Sequence, residues 1–227
     1  MVKGPNHAPL QAVLFDLDGT LFDSERQEIL TMRRLFCDDV GLEMDEEEIA
    51  EYIGVPSREV LEQLTPDRVE ELLAVWLDYQ GEFLVNSQLF PGVLETLQSL
   101  SQSGLGLGVV TGQNKPELEA TRRHIGIDAL IDVWVSADDA SFPKPHPAPV
   151  RLALATLGCP PDQAVMIGDT RFDMEAGRGA GTLLGAALWG VRDAASLLEY
   201  QPEFFFEVPQ QMEDVLLGVQ KPEGGSL

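Results

Sequence analysis

Residues 12–24 read Ala-Val-Leu-Phe-Asp-Leu-Asp-Gly-Thr-Leu-Phe-Asp-Ser, so an apolar run leads directly into two aspartates spaced two residues apart. Short β-branched and aromatic runs bounded by glycine are typical of buried strands. Because side chains alternate along an extended chain, Asp16 and Asp18 are expected to point to the same side. Two like charges so placed favour a bound cation, and carboxylate oxygens suit a hard divalent ion such as magnesium. The alternative is a solvated turn in which the aspartates only cap the chain.

The length and composition are those of an ordinary globular protein. A chain of 227 residues suits one domain, or a core domain with a small insertion. No stretch approaches the ~20 consecutive apolar residues of a membrane span, and residues 1–9 lack the apolar core of a signal peptide. Cys37 and Cys159 lie in unrelated segments without metal-ligand spacing, which favours thiols over a disulfide. We therefore expect a cytoplasmic protein.

The charge is strongly one-sided, with 38 acidic and 15 basic residues and a net charge of −23. Such a surface repels polyanions, so nucleic acid and anionic membranes are excluded as expected partners. A small phosphorylated ligand would feel the same repulsion at long range. Its binding site must then contain local positive features, such as a metal ion, a lysine or helix N-termini.

The order of predicted elements indicates an α/β fold. Apolar strand patterns alternate with helical patterns, which favours a Rossmann-like parallel sheet covered on both faces. The exception is an all-helical block with several apolar stripes, inserted after the first strand. We predict an α/β core from residues 1–21 and 88–227 and a helical insertion at residues 22–87. The predicted strands lie at residues 10–16, 105–110, 133–136, 164–167 and 182–188.

In parallel sheets, ligands bind beyond the carboxyl ends of the strands, and three further polar groups follow predicted strands. Thr111 and Gly112 follow the second strand, where the threonine either caps a helix or holds a phosphoryl oxygen. Lys144 is one of four lysines and lies between two prolines, which restrict its backbone. Asp169 and Asp173 follow the fourth strand, either as capping residues or as part of the same site.

These four groups, in this order, resemble the four signatures of the haloacid dehalogenase (HAD) superfamily of phosphotransferases. The matching motifs are Asp16-Leu17-Asp18-Gly19-Thr20, Thr111, Lys144-Pro145 and Gly168-Asp169 with Asp173. The resemblance implies that Asp16 attacks phosphorus and that Asp18 is the general acid and base. It further implies that Thr111, Gly112 and Lys144 bind the phosphoryl group.

The resemblance also implies a Mg²⁺ cofactor and a helical cap. Magnesium ligands would be Asp16, the backbone carbonyl of Asp18 and Asp169, while Asp173 orients the metal surroundings or the lysine. The dehalogenases themselves lack the second aspartate, so Asp18 favours phosphoryl transfer. Residues 22–87 resemble the cap that closes over small substrates, and Arg58 in a cap loop is a candidate ligand for a substrate carboxylate or second phosphate. The alternative for Arg58 is an ordinary solvent-exposed position.

The implied function is a magnesium-dependent phosphatase that hydrolyses a small phosphorylated metabolite through an aspartyl-phosphate intermediate. The resemblance is strongest to phosphoglycolate phosphatases. Inorganic pyrophosphatases of the same superfamily are one alternative, and sugar phosphomutases related to β-phosphoglucomutase are another. The mutases carry a histidine near the position of Glu28, which counts against the mutase reading. A non-catalytic phospho-ligand binding module is the least favoured, and the oligomeric state is left open.

Overall fold

The structure, a computed structural model, describes residues 9–191 and 194–218 and is built around a parallel sheet. The strands are Ala12–Phe15 (β1), Phe22–Asp23 (β2), Gln88–Leu89 (β3), Gly106–Val110 (β4), Val133–Val135 (β5), Ala164–Gly168 (β6), Leu183–Ala187 (β7) and Phe204–Phe206 (β8). The six strands of the parallel sheet are ordered β5-β4-β1-β6-β7-β8. A separate antiparallel pair is formed by β2 and β3. The predicted α/β fold with a parallel sheet is confirmed.

The strand that precedes the two aspartates lies in the middle of the sheet. All four residues of β1 are buried, and β1 pairs in parallel with β4 on one side and with β6 on the other. Its last residue, Phe15, is in register with Val109 and Ile167. The Asp16 backbone N–H continues this ladder by donating to the Ile167 carbonyl at 2.8 Å. Asp16 is therefore held at the carboxyl edge of the sheet by backbone pairing.

Helices cover the two faces of the sheet, and the alternation of β1 divides its side chains between them. The helices are Glu25–Arg34 (α1), Glu46–Ala50 (α2), Ser57–Leu64 (α3), Val69–Phe83 (α4), Val93–Gln102 (α5), Lys115–Ile125 (α6), Ala148–Leu157 (α7), Arg171–Ala180 (α8), Ala194–Leu198 (α9) and Gln211–Leu217 (α10). Val13 and Phe15 pack in the cluster that contains the buried hydrophobic residues of α5 and α10. Ala12 and Leu14 pack in the cluster of α7 and α8.

Helices α1 to α4 form a unit with a hydrophobic cluster of its own. Phe36, Leu61, Leu72 and Trp76 are among the buried members of that cluster. The chain enters and leaves this unit through β2 and β3, which pair with each other. The domain boundaries predicted from the sequence fall at this strand pair, and the division into core and cap stays a prediction.

Several local details differ from the expectations. Ser24 precedes α1 at a position where serine favours a helix cap, but its hydroxyl donates to the Glu28 carboxylate and accepts from no backbone N–H of that helix. After α1 the chain continues as a π-helix to Val40, and Gly41 ends it with a φ of +73°. Strand β8 and helix α9 were not anticipated from the sequence.

No helix in residues 9–191 and 194–218 is long and apolar enough to cross a membrane. Residues 1–8, for which no signal peptide is predicted, lie outside the described residues.

Candidate active site

Lys144 lies at the centre of the carboxylate cluster beyond the sheet edge. Its Nζ is 2.7 Å from Asp16 Oδ1 and 2.6 Å from Asp173 Oδ1. Lys144 is 5% exposed and Asp173 is fully buried. Burial lowers the pKa of Lys144, but the two ion pairs outweigh it and hold that pKa above its ordinary value. The lysine is therefore a fixed positive charge between two buried carboxylates.

Asp16 is oriented by bonds to one of its two oxygens. Oδ1 accepts from the Leu17 backbone N–H at 2.7 Å and also contacts Lys144. Among the described residues, Oδ2 has no hydrogen-bond partner, so this oxygen can reach a ligand. Burial and the nearby Asp173 raise the pKa of Asp16, while Lys144 opposes that rise. A metal ion would favour the ionised form in the same way as the lysine.

Asp169 approaches Asp16 from the end of β6, and this approach requires glycine at position 19. Thr20 Oγ1 donates to Asp169 Oδ1 at 2.7 Å. A Cβ at Gly19 would lie 2.2 Å from Asp169 Oδ2, and the φ of Gly19 is +74°. Both facts exclude ordinary side chains at this turn. Burial, followed by repulsion from Asp16, raises the pKa of Asp169 well above its usual range.

Asp173 has a structural role that uses both of its oxygens. Oδ1 accepts from Lys144, while Oδ2 accepts from the Thr170 backbone N–H at 3.0 Å and from the Thr170 hydroxyl at 2.6 Å. These last bonds complete a capping box at the start of α8. The two readings left open by the sequence, capping and membership of the site, thus both apply to Asp173.

The carboxylates fit a magnesium ion. One oxygen from each of Asp16, Asp169 and Asp173 lies within 4.8 Å of the others. This oxygen-only set suits a hard divalent cation. Asp16 and Asp169 each keep one oxygen that has no hydrogen-bond partner in the described part of the chain. Because both oxygens of Asp173 are occupied, Asp16 and Asp169 are the better candidates for direct ligands.

Asp18 lines one cavity together with Asp16 and Lys144 but is held by different partners. Gln113 Nε2 lies 3.1 Å from Asp18 Oδ1 and 2.9 Å from Oδ2. Burial, and then repulsion from Glu28, raise the pKa of Asp18 to about 7, while bonds from Ser24 and Gln113 lower it. A carboxyl group that titrates near neutral pH is suited to both giving and taking a proton.

The residues after β4 are only partly in the cavity. Gly112 lines it, but Thr111 is 2% exposed and is not among the lining residues. The Thr111 hydroxyl accepts from the Gln113 backbone N–H at 3.1 Å. Contact between Thr111 and a phosphoryl group stays a prediction.

The helical unit supplies the opposite wall of the cavity, which the sequence analysis did not identify. Glu28, Trp76 and Gln80 line it, together with the loop at residues 54–57. The cavity has a volume of about 60 Å³. This space admits a few water molecules or a small ligand. The one available signal was Gln80, a polar residue continuing the buried stripe of Leu72 and Trp76 on α4.

The helical unit also bonds directly to the core at this wall. Glu117 on α6 is 3% exposed and accepts from the Asn114 backbone N–H at 2.8 Å. It also bonds to the Ser57 side chain at the start of α3. Burial raises the pKa of Glu117 to about 7. The contact joins the helical unit to the core beside the cavity.

Arg58 lies outside the cavity. Its guanidinium is about half exposed and pairs with Glu70 at 2.7 Å, with Glu62 at 3.9 Å. It is not among the residues that line the site. The structure therefore does not bring Arg58 together with the other predicted residues, because a glutamate on the neighbouring helix holds it away.

A sequence model of the haloacid dehalogenase-like hydrolases matches residues 13–187. The chain belongs to this family. The match begins at β1 and ends with β7, so it includes every residue of the carboxylate cluster. The resemblance stated from the four motifs is confirmed, and the HAD fold is confirmed with it.

Proteins similar to this chain are named after three different activities within the family. A Bacillus velezensis protein named pyrophosphatase PpaX is 34% identical over 208 residues, which are 90% of this chain and 94% of that protein. A Lactobacillus plantarum structure, named as a candidate phosphoglycolate phosphatase, is 26% identical with a TM-score of 0.84. It covers 92% of this chain and 100% of its own. A Thermotoga maritima structure, named as a candidate β-phosphoglucomutase, is 26% identical with a TM-score of 0.75, and covers 93% and 100%.

Proposed function

We propose that this HAD chain is a magnesium-dependent phosphatase that hydrolyses a small phosphorylated substrate through an aspartyl-phosphate on Asp16. The observation that carries the proposal is the position of Lys144 between Asp16 and Asp173, with Asp169 close by, at the edge of a cavity that Asp16, Asp18 and Lys144 line. A buried cation next to a carboxylate with one unbonded oxygen supports attack on a phosphoryl group. The cap at residues 22–87 excludes water from that step.

In the first step, Asp16 Oδ2 forms a bond to phosphorus and the bond from phosphorus to the leaving oxygen breaks. Asp18 gives its proton to that oxygen, so it must be protonated before the step. Its raised pKa supports this, because a substantial fraction is protonated at neutral pH. Lys144 balances the negative charge on the transferring group.

In the second step, Asp18 takes a proton from a water molecule, which attacks phosphorus and releases Asp16. Asp16, Asp169 and the backbone carbonyl of Asp18 would hold magnesium. When bound, the ion supplies positive charge to the phosphoryl oxygens. Asp173 keeps Lys144 in place through its 2.6 Å bond. Gly112 and Thr111 complete the proposed phosphate site at the end of β4.

Phosphoglycolate is the substrate favoured by the sequence motifs, and inorganic pyrophosphate is the second candidate. The 34% identity to a protein named pyrophosphatase favours pyrophosphate. The cavity wall gives a further reason, since its helical side presents Glu28, Trp76 and Gln80. Lys144 is the one cationic side chain among the lining residues, so a substrate carboxylate has no second cation to pair with. Pyrophosphate enters as a magnesium complex, so the bound ion neutralises part of its charge and a second cationic side chain is less necessary.

The test is phosphate release from pyrophosphate, phosphoglycolate, sugar phosphates and p-nitrophenyl phosphate, with magnesium and with a chelator. We expect magnesium-dependent release that disappears in Asp16→Asn and is unchanged in Asp23→Asn, an exposed aspartate in the same segment. The ranking of initial rates identifies the substrate. Interconversion of glucose phosphates without net release would overturn the phosphatase proposal in favour of a mutase. Binding without turnover of any probe would indicate a non-catalytic module.

A further inference from the structure

Gln113 follows β4, and its side chain bonds to the proposed general acid, Asp18. Its Nε2 reaches both oxygens of Asp18, at 3.1 and 2.9 Å. The two residues are 95 positions apart in the chain and are brought together by the pairing of β1 with β4. Because one amide nitrogen spans both oxygens, it restrains rotation of the carboxyl group.

The backbone of Gln113 is itself fixed. Its N–H donates to the Thr111 hydroxyl at 3.1 Å, and its carbonyl accepts from the Ala137 N–H at 2.9 Å. The residue is 8% exposed. A side chain buried on a backbone anchored at both ends has little freedom, so it can hold another group in place.

The carbonyl oxygen of the Gln113 side chain does not support a phosphate-binding role. Gln113 Oε1 is buried and has no hydrogen-bond partner among the described residues. This oxygen is an acceptor and would repel phosphoryl oxygens. The donor of the amide is directed at Asp18.

We propose that Gln113 is a positioning residue for Asp18, which it holds in line with the leaving oxygen of the substrate. The inference rests on the proposed phosphatase function. It assigns to Gln113 no contact with the phosphoryl group and no proton transfer of its own. Asp18 remains the group that gives the proton.

If Gln113 acts through Asp18, the loss of rate on replacing Gln113 depends on the leaving group of the substrate. Departure of a weakly acidic alcohol or phenol needs protonation, whereas p-nitrophenolate leaves with little help. A misplaced Asp18 should therefore slow phenyl phosphate much more than p-nitrophenyl phosphate. A general loss of folding or of phosphate binding would slow both equally. The value of kcat/KM reports only steps up to departure of the leaving group, so attack by water does not enter.

The experiment compares kcat/KM for these two aryl phosphates, with magnesium, in wild type, Gln113→Met and Gln113→Asn. Methionine keeps the size but has no donor, and asparagine is too short to span both Asp18 oxygens. Asp18→Asn gives the limit for complete loss of the acid, and Gln102→Met is a control at an exposed glutamine. A positioned acid contributes about 100-fold or more, so we expect a fall of roughly 10-fold to 100-fold for phenyl phosphate. For p-nitrophenyl phosphate we expect a fall below about 3-fold.

Equal losses on both substrates, or no loss on either, would overturn the positioning role. If circular dichroism shows that Gln113→Met is unfolded, the same comparison of kcat/KM on the two substrates is made with Gln113→Asn. If wild type releases no phosphate from these two compounds or from pyrophosphate, phosphoglycolate and the sugar phosphates, the proposed function fails and the inference fails with it. If wild type is active but the Gln113 variants lose equal activity on the two aryl phosphates, the positioning role is refuted and the proposed function stands.

Discussion

Glu117 permits a quantitative test of the contact between the helical unit and the core. The side chain is 3% exposed, and burial raises its pKa from an ordinary value of 4.5 to about 7. A carboxyl group whose pKa is higher in the folded state stabilises that state most at low pH. This contribution is fully present below pH 4.5 and is lost as the pH rises to 7.

The size of this contribution to stability follows from the pKa shift of Glu117. Ionising Glu117 in place costs the folded state about 1.4 kcal/mol per pKa unit, or up to about 3 kcal/mol above pH 7. Glu117→Gln removes the charge but keeps a group that can bond to the Asn114 N–H and to Ser57. We therefore expect the variant to be more stable than wild type by up to about 3 kcal/mol at pH 8, and by less than about 1 kcal/mol at pH 5.

The assay is urea denaturation of both proteins at pH 5 and pH 8, in the presence of a chelator. Other buried carboxylates titrate equally in the two proteins and cancel in the difference. Glu119→Gln, at an exposed position on the same helix, is the control and should change stability by less than about 0.5 kcal/mol. A variant that is destabilised at pH 8, or equally stabilised at both pH values, would refute the reasoning.

Three further predictions concern the site. Lys144→Ala removes the cation between two buried carboxylates and should destabilise the protein by about 3–5 kcal/mol in urea denaturation at pH 8; a loss below 1 kcal/mol would contradict this. Asp169→Asn should abolish the rise in melting temperature that magnesium gives to wild type, and an unchanged rise would exclude Asp169 as a ligand. Arg58→Ala breaks an exposed ion pair and should leave stability within about 1 kcal/mol and KM within a factor of about two, whereas a large rise in KM would place Arg58 at the substrate.

The central sheet and the cluster at its edge were predictable because the signals are local. The apolar run before Asp16 marks a buried strand, and the polar groups after β1, β4 and β6 must meet if those strands are parallel. The two prolines beside Lys144 indicated a restrained lysine, and it is 5% exposed between two aspartates.

The helical wall of the site was not predictable in the same way. Which side of α4 faces the core depends on how two units dock, and no period in the sequence records that. Gln80 lies in a buried stripe and reads as packing until its place in the cavity is known. Arg58 lies outside the cavity for a comparable reason, because Glu70 on a neighbouring helix pairs with it, and no pattern in the sequence records that pairing.

The most direct measurement is the site of phosphorylation during turnover. The protein is mixed with magnesium and p-nitrophenyl phosphate or pyrophosphate, quenched in acid within the first turnover, digested and examined by mass spectrometry. We expect one phosphoryl group on the peptide that contains Asp16, and none in Asp16→Asn. A phosphoryl group on another peptide, or undiminished turnover by Asp16→Asn, would contradict it.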